Sequence, residues 1–167
     1  KETVRADWTG FLANIEEEVH VTEPGMEFNL GSTDAESVLP KDASRRFILC
    51  MQAVDNGVFA MCQDEALAYM VETSNNVASV QTAENEINVV ASQRSNVMSN
   101  LENETNTVKA AFELAGAEVK MSDGYPAWKM NPDSKLTKVA VESYKKLFGK
   151  DPIVKGIHAG LECGLFS

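Results

Sequence analysis

The sequence predicts an α+β fold: an antiparallel sheet with its main helices on one face, followed by a partial helix-strand segment of a second domain. Three observations predict it. Helical apolar periodicity and two-residue alternation both occur, and the clearest alternating run is joined to a less regular strand before it by a short polar turn as a hairpin. The elements come in the order helix, strand, helix, hairpin, helix, strand, then helix and strand, which suits helices segregated to one side of an antiparallel sheet. After Gly124 the periodicity breaks, and the last forty or so residues are too few to bury an apolar face of their own.

The first helix is read from Val4, Trp8, Phe11, Leu12, Ile15 and Val19, spaced by about one or two turns with Asp and Glu between them. Pro24-Gly25 stops the chain, and Met26, Phe28 and Leu30 alternate with Glu27 and Asn29 as a half-buried strand. Gly31 to Leu39 reads as loop. Pro40 and Asp42 open a second helix with Phe47, Ile48, Met51 and Val54 on one face, and Asn56-Gly57 ends it. Residues 70–81 form a less regular strand with Asn75-Asn76 in its middle. Residues 82–85 turn, and 86–94 form the clearest strand: Ile87, Val89 and Ala91 to one side, Glu86, Asn88, Ser92 and Arg94 to the other. A third helix over about 99–115 carries Leu101, Val108, Ala111 and Phe112 and stops at Gly116. Residues 117–121 are read as a short strand. Asn131-Pro132-Asp133-Ser134 caps a fourth helix with Leu136, Val139, Ala140, Tyr144, Leu147 and Phe148 inward, and Gly149 ends it. Residues 152–157 are read as a last short strand.

With 167 residues the chain makes about one domain, or one and a fraction. Fifteen Lys and Arg against 25 Asp and Glu give a net charge of −10, and the cations are scattered. Phosphate binding needs a clustered positive field, so nucleic acid is excluded as a partner. No stretch approaches the roughly 18 apolar residues of a membrane span, and no secretory leader is visible, so no membrane partner is expected. Cys50, Cys62 and Cys163 are sparse, odd in number and without a C-x-x-C pair. They are read as reduced thiols of a cytoplasmic protein, with Cys50 in the core.

The C-terminal residues carry a specific resemblance. Gly124-Tyr125-Pro126-Ala127-Trp128, then a helix with Tyr144 and Leu147-Phe148, then Ile157-His158-Ala159-Gly160-Leu161-Glu162-Cys163-Gly164-Leu165-Phe166 resemble the Xaa-His dipeptidases. These are also called aminoacyl-histidine dipeptidases or cytosolic non-specific dipeptidases, and are zinc metallopeptidases. Upstream, Val71-Glu72-Thr73-Ser74-Asn75-Asn76-Val77 and Arg94-Ser95 fall where that family has a V-E-T-S-x-N-V strand and an R-S pair. The resemblance implies a hydrolase of dipeptides such as Xaa-His, with a ferredoxin-like lid that commonly pairs into a homodimer. It further implies that residues 1–122 are most of that lid, or dimerisation domain, and 123–167 a return segment of the catalytic domain. The family's zinc ligands (an H-x-D segment, a bridging aspartate, a Glu-Glu pair, another aspartate and a late histidine) have no counterpart in this chain. By that reading the zinc of the parent enzyme is held elsewhere, no catalytic residue lies here, and the chain alone is inactive. The rival reading is a non-catalytic α+β dimerisation or interaction module.

Four residues are candidate substrate contacts. Arg94 stands on the polar face of its strand, where a guanidinium gives a two-pronged match to a substrate carboxylate; otherwise it pairs with Glu86 or Asp123 at the surface. His158 follows an apolar run and is either structural or, by the family motif, part of the cleft lining. Glu162, between Gly160 and Gly164, is either a solvated loop carboxylate or, by the motif, a partner for the substrate's free amine. Asn76, and Ser95 with it, are weaker candidates for hydrogen bonds nearby. His20 reads as a helix-end side chain. Tyr125 and Trp128 read as packing at a domain junction, and Cys163 lacks a base that would make it a nucleophile.

Overall fold

The computed structural model describes residues 2–124, 126–128, 131 and 133–159. The chain divides into two compact units, 1–39 and 40–167.

In the first unit, α1 spans Glu2–Val19. Its apolar positions fall at helical spacing, and Trp8 stacks obliquely on Phe11 with ring centroids 5.7 Å apart. The helix closes through the amides of Thr22 and Glu23, both donating to Val19 O. At the same end His20 Nδ1 donates to Glu17 O at 2.7 Å, the helix-end role read from the sequence. The strand expected at 26–30 does not form. Met26 to Leu30 alternates correctly, but no second extended segment in the unit offers a ladder for its backbone groups. Phe28 and Leu30 instead line an open cleft with Arg5, Trp8, Thr9 and Leu12 of α1.

The second unit holds the sheet. Helix α2 spans Lys41–Ala53; Pro40 stands at its N-cap and Asp42 lies in its first turn, where a carboxylate complements the helix dipole. Strand β1 is Gly57–Met61, β2 Val71–Thr82 and β3 Ile87–Ser95, in the spatial order β1-β2-β3 and antiparallel throughout. Between β1 and β2, the 3-10 turn Glu65–Leu67 is capped by Asp64, whose side chain accepts from Ala66 N at 2.9 Å. The hairpin agrees with the sequence reading. Strand β1 was not expected: a stop signal at Asn56-Gly57 hides it, and its five residues show no alternation of burial. Gly57 has φ 124°, a value that suits glycine, at the corner where the chain leaves α2 for the sheet.

Helix α3, Met98–Leu114, lies over β2 and β3 and touches α2. Cys50, Val54 and Val108 form the buried core, with Val77, Ala91, Ala111 and Phe112 packed around them. Both helices therefore cover one face of the sheet. The end of α3 is a Schellman motif: Gly116, at φ 83°, donates to Glu113 O, and Ala117 N donates to Phe112 O.

The strands expected at 117–121 and 152–157 are absent. Neither run finds a strand to pair with, and apolar spacing alone does not supply one. Helix α4, Lys135–Phe148, is capped by Ser134, whose hydroxyl accepts from Thr137 N, and ends at Gly149 with φ 68°. Tyr144 and Phe148 stack with centroids 4.6 Å apart. No other described helix or strand lies against α4.

Candidate functional site

The site is built on the sheet face that α2 and α3 leave open. Thr73, Asn75 and Val77 of β2 point to the helices, so Ser74 and Asn76 point away. In β3, Ala91 is in the core layer, so Ser92 and Arg94 share the open face. Ser74 pairs with Arg94 across the ladder and Asn76 with Ser92. A side-chain quartet of hydroxyl, amide, hydroxyl and guanidinium therefore stands on one patch of two adjacent strands.

The C-terminal segment comes to this patch. His158 Nε2 lies 2.8 Å from Ser74 Oγ, a contact between residues 84 apart in sequence. A second anchor holds the same segment, where Gly156 N donates to Tyr69 Oη at 2.8 Å. His158 is half-buried. Burial pushes its pKa below the ordinary 6.5, the nearby Arg94 charge lowers it further, and a hydrogen bond with the Val71 backbone works against both. The ring is therefore neutral at physiological pH. One nitrogen serves the Val71 backbone, and Nε2 can accept from the Ser74 hydroxyl.

Of the expected contacts, the structure brings Arg94 and His158 together. Asn76 stands on the same face, exposed, two residues along β2 from Ser74. Ser95 points to the other face and bonds Thr73 Oγ1 at 2.9 Å, so it is no part of the patch. Glu162, Tyr125 and Cys163 lie outside the described residues. Ser74 was missed as a contact, though it stands inside the V-E-T-S-x-N-V resemblance. Trp128 is about half exposed.

Behind the patch is a polar layer. Asn75, 2% exposed, donates from Nδ2 to Asp55 O and accepts from Gln93 Nε2 at 2.8 Å. Glu72 accepts from Asn100 Nδ2 at 2.6 Å, tying α3 to β2. These bonds fix the two strands that carry Ser74 and Arg94.

Chemically, the patch offers one permanent cation, a neutral imidazole, two hydroxyls and an amide. It can bind an anionic, hydrogen-bonding group such as a carboxylate. It does not fit a metal: among the described residues no three His, Cys, Asp or Glu side chains converge as a zinc ion requires.

No family model matches the chain. Two relatives do. The cytosol non-specific dipeptidase of Escherichia coli (strain K12) is 34% identical over 120 residues, 72% of this chain and 24% of that protein. The crystal structure of aminoacylhistidine dipeptidase from Vibrio alginolyticus superposes with a TM-score of 0.82 at 30% identity, over 99% of this chain and 34% of that one. In fold and in sequence the chain is thus similar to dipeptidases. More narrowly, the chain is a relative of the Xaa-His dipeptidases, the group its motifs resemble, and it spans about a quarter to a third of the length of these two relatives.

Proposed function

We propose that this chain is the substrate-covering part of a dipeptidase acting on dipeptides such as Xaa-His, with Arg94 and His158 at the substrate's carboxylate end. The observation that carries it is the convergence of Arg94, Ser74 and His158 on the open sheet face, from two segments that both carry the family resemblance. A guanidinium holds a carboxylate by two parallel hydrogen bonds, and a neutral imidazole beside it adds no charge penalty. Asn76 lies on the same face and is assigned a supporting hydrogen bond. Glu162 is assigned the substrate's amine.

Residues 1–122 are assigned to the lid and dimerisation domain, and 123–167 to a return segment of the catalytic domain. The break in periodicity at 124–128 supports that boundary. Zinc, with its ligands outside the residues named here, is assigned to the parent enzyme, and a homodimer through the lid is the expected assembly. A cytoplasmic location accords with the name of the Escherichia coli relative. No described helix is long and apolar enough to cross a membrane.

The test is an assay of Xaa-His hydrolysis by the purified chain with added zinc. No turnover above the uncatalysed rate is expected, because the residues named here bind substrate ends and supply no activated water. Turnover by the 167-residue chain would overturn this division of labour.

A further inference from the structure

The second unit carries a buried acid that the substrate patch does not use. Glu104 of α3 is 4% exposed, and its Oε1 has no hydrogen-bond partner. Its charged neighbour is Asp55, an exposed residue just beyond α2. Asp55 cannot swing away freely at the backbone, because its carbonyl is held by Asn75 of the central strand. An ionised carboxylate in that place has neither a cation nor a full set of donors.

No salt bridge among the described residues reaches Glu104. On the elements that α3 packs against, Cys50 and Val54 of α2 are buried and uncharged, Asn75 of β2 is bonded to Asp55 O and to Gln93 of β3, and Glu72 of β2 accepts from Asn100. On α3 itself, Lys109 turns outward to Glu113 at 3.2 Å. Burial and the Asp55 charge together raise the Glu104 pKa above the ordinary 4.5.

We infer that the junction of α2, α3 and the sheet is a pH-sensitive latch: α3 seats firmly on β2 and β3 when Glu104 carries a proton, and loosens when Glu104 is ionised beside Asp55. The sign follows from linkage. A carboxyl whose folded pKa lies above its unfolded value binds more protons folded than unfolded, so its seating is strongest below the unfolded value. Stability is lost as pH rises from there through the folded value. The loosened region would be α3 and β3, the strand whose other face carries Arg94.

The experiment is amide hydrogen exchange on the full chain across pH 4.5 to 8, with each amide's protection corrected for its intrinsic rate. Wild type is compared with Glu104→Gln, which keeps the shape and removes the charge, and with Asp55→Asn. Protection of α3 and β3 amides in wild type should fall with rising pH relative to Glu104→Gln, whose profile should be flatter and higher at neutral pH. Asp55→Asn should reduce the slope without abolishing it. Parallel profiles for wild type and Glu104→Gln would overturn the proposal. So would a Glu104→Gln protein less protected than wild type at pH 7.5.

Discussion

At the scale of single residues, the electrostatics of His158 give the sharpest expectation. Its folded pKa lies below the ordinary 6.5. The unfolded chain therefore takes up the proton first as pH falls, and the seating of the 156–158 segment is complete above about 6.5 and lost as pH drops through the folded value. An NMR titration of the His158 ring should show this lowered midpoint. Arg94→Gln should move the midpoint upward, because one of its depressing charges is gone; an unchanged midpoint would separate Arg94 from His158. Asn75 makes a second residue-scale case. Asn75→Ala removes a buried amide and both of its bonds, to the Asp55 carbonyl and the Gln93 amide, at a cost of about 1–3 kcal/mol. Denaturant unfolding measures that loss, and a change below about 0.5 kcal/mol would contradict the assigned bonds. Of these residues, Arg94 was legible in the sequence because simple alternation assigns its face. Ser74 was not, and the reason is one extra residue. Carried unbroken from the turn at 82–87, the hairpin register would set Arg94 opposite Asn75. The irregularity between Val77 and Ser79 shifts the pairing and sets it opposite Ser74 instead. The meeting of His158 with Ser74, 84 residues apart, left no periodic signal; only the family motif linked His158 to the cleft.

At the scale of elements, the four helices were legible because apolar spacing and end signals agreed. Gly116 and Gly149 do stand at left-handed positions, as their places after α3 and α4 suggested. Short strands were the weak point. Residues 26–30, 117–121 and 152–157 have suitable residues but no partner, while β1 has a partner and an unremarkable sequence. Pairing is a property of the fold, and a five-residue run does not encode it alone. Two consequences belong here. Val108→Ala, in the small core between α2 and α3, should cost on the order of 1–3 kcal/mol, since three buried side chains and their neighbours cannot refill the space. Helix α4 presents Leu136 at 79% exposure, Leu147 at 76% and Phe148 at 62%, with no described helix or strand against it. Such a face invites association. Light scattering of the purified chain should show a species larger than a monomer, reduced by Leu136→Lys combined with Leu147→Lys. A clean monomer at every concentration would remove the association argument.

At the scale of the whole molecule, the second unit is a three-stranded sheet with two unlike faces. One side of the sheet is closed by α2 and α3 over a partly polar interior. The other side gathers Ser74, Asn76, Ser92 and Arg94, with His158 brought onto it. Under the proposed function, a dipeptide's carboxylate is the occupant of this face and Arg94 its first contact. The most direct test is an NMR titration of the full chain with a dipeptide bearing a free C-terminal carboxylate, and with the same dipeptide as its C-terminal amide. The free acid should shift the resonances of Arg94, Ser74 and His158 at millimolar concentration, the amide should shift them far less, and Arg94→Gln should erase the difference. Equal shifts from acid and amide, or a difference that survives Arg94→Gln, would contradict the assignment of this face to the substrate's carboxylate.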